Sequence, residues 1–337
     1  MTTTGRPVRI TDVAALAGVS AGTVSKALNN TGALRPSTRK RVRDAADRLG
    51  FVPDPDARWL SARRTYTVGL LSADSAGRFS IPVMLGAENA LAAGQMSALL
   101  ATCRRDPLRE LYLLQSLVAR RVDGIIVTGR TTDPRPPIDV PIPVVYAFAP
   151  SSKETDASVV PDDDQGARLI IEHLLATGRH RIAHVAGRPD QRSSTTRADA
   201  AARALERAGV RLAAPTQFGE WSESWGRRAV DVLLRRAGSD GDQPVDAIMC
   251  GSDQIARGVC DRLRELEIGV PDRIAVTGFD DWEVMALASR PPLTTVDLQL
   301  EDLGRRAAET LLDSIGGQPH HGAELMPMRL VTRESTR

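Results

Sequence analysis

The chain is poor in several things that would mark other classes of protein. Of its 337 residues only three are cysteines, Cys103, Cys250 and Cys260. None pair as CxxC, and the number is odd. They read as small buried residues in a reducing compartment, not as a disulfide framework or a zinc site. No apolar run approaches the roughly 18 residues of a membrane span. The N-terminus, MTTTGRPVR, has no signal-peptide apolar core. A soluble, cytoplasmic protein with no membrane partner is expected. A GxxxxGK[ST] loop is missing, and GRPDQR and GFDD are not phosphate-binding loops. His173, His180 and His184 spread over a helix end and a strand, and His320–His321 sits in a polar loop. His180 and His184 could bind a metal, but a turn residue and a strand residue is the simpler reading. Asp280 and Asp281 are adjacent, so on a strand they would point to opposite faces. That argues against a two-carboxylate hydrolase. No catalytic group, metal or cofactor is expected.

What is present is unevenly placed. The net charge is only +2, yet residues 1–64 hold twelve Lys/Arg against five Asp/Glu, or +7, leaving −5 for the rest. A basic head on a mildly acidic body suits a polyanion at one end of the chain.

The head carries the clearest pattern. Ile10 to Asn29, ITDVAALAGVSAGTVSKALN, reads as two short helices around a tight turn. Thr11 is a good N-cap, with Asp12 in the first turn where the helix dipole favours an anion. Val13, Leu16 and Ala17 recur at helical spacing, with Ala14 beside them. Gly18 supplies the freedom that stops the first helix. Ser20 caps a second helix with Val24, Ala27 and Leu28 on its apolar face. This is the pattern of a helix-turn-helix, whose second helix enters the DNA major groove; a plain αα-corner is the alternative. Ser37 then caps a third helix ending at Gly50, with Val42, Ala45, Ala46 and Leu49 inward. In FVPDPDARWLSARR, Asp54, Pro55 and Asp56 can open a helix running to about Ala62. At roughly two turns it needs a partner to fold against, or it is a linker.

ITDVAALAGVSAGTVSKALN, TRKRV and FVPDPDARWLSA closely resemble the head of the lactose/galactose repressor (LacI/GalR) family of bacterial transcription regulators. Several motifs occur in the right order over sixty residues. The resemblance implies that each head binds an operator half-site and that paired hinge helices insert Leu60 into the central minor groove. Ala21, Gly22 and Lys26 match the family's base-reading positions; Lys26 can donate to guanine but lacks the rigid fork of Arg. Ser20, Thr23 and Ser25 are short donors suited to phosphate or nearby base edges. Thr11, Asn29 and Arg58 complete the expected DNA-binding set.

From Thr65 the pattern becomes α/β. TVGLL (67–71), QMSALLAT (95–102), GIIVT (124–128) and PVVYAF (143–148) read as strands between helices. The order repeats from Gly166, with RIAHVAG (181–187), AIMCG (247–251) and IAVTGFD (274–280) as strands. Such runs imply two lobes with parallel sheets and a ligand cleft at the strand carboxyl ends. The resemblance implies a periplasmic-binding-protein-like body, with the chain crossing back in LTTVDLQLEDLGRRAAETLL (293–312). The expected domains are a headpiece (1–53), a hinge (54–64), and a two-lobed effector-binding and dimerisation domain (65–337).

Arg197 matches the family's effector-contacting arginine; a surface Arg is the alternative. Trp221 matches an aromatic that can stack on a sugar face or a base, unless it is core; Trp225 is the better core residue. Asp280 can accept from two hydroxyls. Asp253 either faces the cleft or caps its helix. Phe79 and Asp162 are candidates on the other lobe, and Ser252 stands where the family often has Asn. The expected function is a dimeric, operator-binding regulator, in the role of a repressor, controlled by a small-molecule effector of sugar-like chemistry. A sugar-metabolism enzyme with a fused head, or a regulator controlled by a partner protein, are the alternatives.

Overall fold

Three short helices enclose a core of valine and alanine in the first of two units, Met1–Thr65 and Tyr66–Arg337, into which the chain divides. The computed structural model describes residues 8–28, 32–51, 64–73, 77–239 and 245–337. Asn29, the expected hinge helix, and with it Arg58 and Leu60, lie outside the described residues.

Helices α1 (Ile10–Ala17), α2 (Ala21–Leu28) and α3 (Pro36–Leu49) bury Val13, Ala14, Ala17, Val24, Ala27, Val42, Ala45 and Ala46 together. Gly18, at φ 63°, ends α1 in the left-handed region, which glycine enters at no steric cost. Two expected caps are corrected. Arg9, not Thr11, precedes α1, and the Asp12 carboxylate accepts from the Arg9 amide at 2.8 Å. Arg35 precedes α3, because Pro36 fits the first helical position and draws Ser37 inside. Leu16, expected inward, is 50% exposed. At 100° per residue the arc of 13, 14 and 17 leaves position 16 outside it.

The second unit begins with β1 (Thr67–Ser72), α4 (Ser80–Ala93), β2 (Ser97–Thr102), α5 (Pro107–Ala119), β3 (Gly124–Thr128), β4 (Val144–Ala147) and β5 (Ser158–Pro161). It continues with α6 (Asp163–Ala176), β6 (Ile182–Val185), α7 (Arg192–Arg207), α8 (Glu223–Ser239), β7 (Ala247–Cys250), α9 (Asp253–Glu265), β8 (Ala275–Thr277) and α10 (Glu283–Ala286). Last come β9 (Thr295–Asp297), α11 (Leu300–Ile315), β10 (Ala323–Met326) and β11 (Arg329–Val331).

The first lobe is a parallel sheet in the order β10-β5-β4-β3-β1-β2. Alternation along its strands feeds two cores. Leu70, Ile126 and Val145 meet α4 and α11, while Leu71, Ile125 and Tyr146 meet α5. In the second lobe the parallel strands β6-β7-β8 lie between α6 and α7 on one face and α8 and α9 on the other. The chain therefore crosses between lobes after β5, again through β9 into α11, and finally from β10 to β11. Antiparallel pairing of β9 with β11 ties the last two crossings together. The crossing back within 293–312 is as expected. Strand β5 was not expected: SVVP is four residues long, too short to show a period.

Candidate functional site

On the head, Ser20 Oγ accepts from the Thr23 amide at 3.2 Å and lies 2.9 Å from Thr23 Oγ1, so Ser20 caps α2. With Val24 and Ala27 turned into the core, α2 leaves Gly22 and Lys26 exposed beside Ser20, and Ala21, Thr23 and Ser25 half-buried. Thr11 is exposed on the first turn of α1. The face offers hydroxyls and one ammonium with no bulky side chain in the way. Such a face can sit against phosphates and base edges.

In the second unit a cavity of about 1160 Å³ opens between the lobes. Arg78, Phe79, Phe148 and Arg130 line it from the first lobe, and Gln191, Arg197, Trp221, Asp280 and Trp282 from the second. Loops at strand carboxyl ends supply most of these, as the topology dictates. Asp280 follows β8 with φ 104°, and Asp281 has φ 47°. Two successive left-handed residues hold the carboxylate at the crossing, a strain typical of functional loops.

Arg197 is 4% exposed. Its Nε donates to Asp163 Oδ1 at 2.7 Å and its Nη1 to the Gly251 carbonyl at 2.7 Å; Nη1 also lies 3.6 Å from Asp280 Oδ1. The guanidinium carbon sits 3.6 Å from the Phe279 ring centroid. Arg197 is thus a buried structural hub that also borders the cavity, not a side chain reserved for a ligand. Across the cleft, Arg78 Nη2 donates to Asp280 Oδ2 at 2.8 Å. Burial pushes the carboxyls of Asp163 and Asp280 up from their ordinary values, against the pull of Arg197 on the first and of Arg78 and Arg197 on the second. A second contact spans the lobes: Asp133 Oδ1 accepts from the Arg192 amide at 2.7 Å, at the N-terminus of α7.

Phe79 stacks on Phe148 at 5.0 Å between centroids. Trp221 donates from Nε1 to Gln191 and lies over Gly187, where a Cβ would come within 2.3 Å of the indole. Trp225 turns inward, its Nε1 donating to the Ala186 carbonyl at 2.9 Å.

Phe79, Arg197, Trp221 and Asp280 are therefore brought together on one cavity. Asp162 is not: its side chain caps α6 by accepting from the Gln165 amide at 3.0 Å. Neither is Asp253, fully buried, with Oδ1 accepting from Thr295 and Oδ2 from the Trp282 amide, both at 2.6 Å. Burial, with Asp280 nearby, pushes its carboxyl well up. Ser252, not Asp253, caps α9, accepting from the Ile255 amide at 3.3 Å. Sequence reasoning missed Arg78, Phe148, Gln191 and Trp282. Only Arg78 and Trp282 left a trace, as neighbours of Phe79 and Asp280.

His184 lies on β6, and His180 is exposed in the loop before it. No helix among the described residues is long and apolar enough to cross a membrane.

Comparison with known proteins bears on both units. Residues 9–54 match the model of bacterial regulatory proteins, lacI family, and residues 171–336 that of a periplasmic binding protein-like domain. The HTH-type transcriptional regulator CelR of Thermobifida fusca is 33% identical over 335 residues, covering 96% of each chain. A lac repressor dimer bound to operator and an anti-inducer superposes with TM-score 0.74 at 26% identity, covering 98% of this chain and 99% of the other. A CelR–cellobiose complex does so with TM-score 0.65 at 31% identity, covering 98% and 100%.

Proposed function

Because the chain belongs to the lacI family of bacterial regulatory proteins, we propose how its parts divide a regulator's work. The protein is a DNA-binding transcriptional regulator whose operator affinity is set by a small molecule. In our reading residues 1–53 recognise an operator half-site through Ser20, Ala21, Gly22, Thr23, Ser25 and Lys26, with Thr11 on a phosphate. Residues 54–64 join head to body, and residues 65–337 bind the effector and hold the dimer. The effector is a sugar or a sugar-like metabolite, a reading supported by the relative solved with cellobiose.

The observation that carries the effector reading is the juxtaposition of Arg197, Asp280, Phe79 and Trp221 on one interlobe cavity. Aromatic faces suit sugar rings, and a carboxylate beside guanidinium groups suits hydroxyls. The contacts Arg78–Asp280 and Asp133–Arg192 both span the lobes. An effector that disturbs them binds the open and closed arrangements differently, which is the requirement for shifting their balance. Lobe rotation then alters the spacing of the two hinges of a dimer, coupling cleft to operator. We assign no catalysis to the cleft, since Asp163, Asp253 and Asp280 are each bonded to structural partners.

For the dimer face we favour β2 and α5. Leu100 is 57% exposed at the sheet edge, with Leu108, Leu111 and Tyr112 exposed on α5. The test is a thermal-shift screen of mono- and disaccharides, cellobiose included, beside gel shifts on an operator selected from random DNA. A sugar that raises Tm and also changes operator affinity supports the reading. Sugars that bind without changing operator affinity would remove the coupling.

A further inference from the structure

We propose that the effector carries an anionic group, a carboxylate or a phosphate, beside its hydroxyls, and that Arg78 selects for it. The inference rests on the interlobe cavity being the effector site. Arg78 borders the cavity from the first lobe, with its side chain 21% exposed. Its guanidinium carbon lies 4.5 Å from the ring centroids of both Phe79 and Trp282. Those rings hold the group in place, so what remains for a ligand is its edge. One edge nitrogen, Nη2, is bonded to Asp280. The other, Nη1, is buried and has no hydrogen-bond partner among the described residues.

Asp280 already serves Arg78 and Arg197 together, at 2.8 and 3.6 Å. A neutral polyol that engages Asp280 competes with Arg78 for that carboxylate and gives Nη1 nothing stronger than a hydroxyl. A buried donor left unpaired carries its full desolvation cost, which is greatest for a charged group. A carboxylate or phosphate on the ligand resolves both problems, because it accepts along the guanidinium edge in a charge-assisted, bidentate bond. Arg130, exposed on the same wall, makes no ion pair or hydrogen bond among the described residues and adds positive charge without compensation.

The experiment is calorimetry on the full-length protein with matched probes: glucose, gluconate and glucose 6-phosphate; galactose and galacturonate; cellobiose and cellobionate. We expect at least one acid to bind about tenfold or more tighter than its neutral parent. Arg78→Met should erase that preference and Arg78→Lys should keep part of it, with circular dichroism confirming that both variants fold. A neutral sugar that binds wild type as tightly as its acids overturns the inference and leaves the cleft as the effector site. So does an acid preference that survives in Arg78→Met. Tighter binding of a neutral sugar by Arg78→Met would make Arg78 a competitor for Asp280 and also overturn it. Failure of every probe, neutral and acidic, counts against both the inference and the effector reading.

Discussion

The head and the body build their sites in opposite ways. The head fully encloses three valines and five alanines, packs larger side chains such as Leu28, Leu49 and Phe51 only partly buried against them, and turns its polar residues outward. The reading face proposed for it is local to one eight-residue helix, part exposed and part half-buried, and free of bulky groups. The body buries Tyr146, Phe279 and many leucines and isoleucines in four clusters. Its site residues are buried or half-buried, and its charged ones are bonded within the fold: Arg78 to Asp280, Arg197 to Asp163. The head is a charged surface kept ready for a polyanion. Most of the body's cleft charges are already paired, with Arg78 Nη1 and Arg130 exceptions among the described residues, so a ligand must replace contacts as well as make them.

The sharpest way to break the comparison is to separate its halves. Deleting residues 1–50 removes the whole basic reading face, and operator binding should vanish in a gel shift. The body should keep a cooperative thermal transition, because its cores draw on no residue before Val68. Operator protection by the truncated protein would show that the body also reads DNA.

Next in size is the hub of the cleft. Arg197→Ala strips Asp163 of its partner in a buried setting, which should cost about 3–5 kcal/mol of body stability by denaturant titration. Replacing both members, Arg197→Met with Asp163→Leu, should recover much of that loss without restoring effector binding. The body's charged residues would then be shown to serve structure and ligand at once. If Arg197→Ala leaves stability unchanged, the Arg197–Asp163 contact is not a structural support of the body.

This difference also explains what could be read from the chain. Gly22 and Lys26 were legible through the family resemblance and Ser20 as the cap of the second helix, and no distant residue alters their place. The strands and lobes were legible from runs such as GIIVT. Arg197 was legible through family resemblance and Asp280 from its place after a strand end, but their mutual bonding was not. That depends on Asp163, Gly251 and Arg78 meeting across three separate segments. Asp253 looked like a cleft residue for the same reason: only the fold shows that Thr295 and the Trp282 amide have claimed both its oxygens. Arg78 left only its place beside Phe79 as a trace, since the two rings that flank it, Phe79 and Trp282, are 203 positions apart in the chain.

On the head side the effect should be smaller and confined. Lys26→Ala removes one ammonium from each reading helix, at a cost of about 1–3 kcal/mol if it meets a base edge. Affinity should fall on the selected operator, discrimination should relax at one position per half-site, and effector affinity should not move. A uniform loss on specific and random DNA, with a shallower salt slope, would place Lys26 on phosphate instead.

The smallest effect separates the halves by pH. Residues 1–64 contain no histidine, whereas the body buries His184 on β6 with Nε2 unpartnered among the described residues. Burial first, then the Arg197 charge, lowers His184 from 6.5 to about 4. The folded chain therefore takes up this proton later than the unfolded chain as the medium acidifies. The stability it contributes is complete above pH 6.5 and drains away as pH falls towards 4. By pH 5.5 the loss should be on the order of 1 kcal/mol. The raised carboxyls of Asp163 and Asp280 act with the opposite sign, favouring the fold as they protonate. Partial burial, then Arg337, lowers His173 in the same sense as His184. The raw Tm profile of the body is thus composite, and only a difference isolates His184. His184→Leu removes this titration and leaves the others, so the stability gap between variant and wild type should move in the variant's favour between pH 7.5 and 5.5. Parallel curves over that range would mean that the His184 pKa does not differ between the folded and unfolded chains.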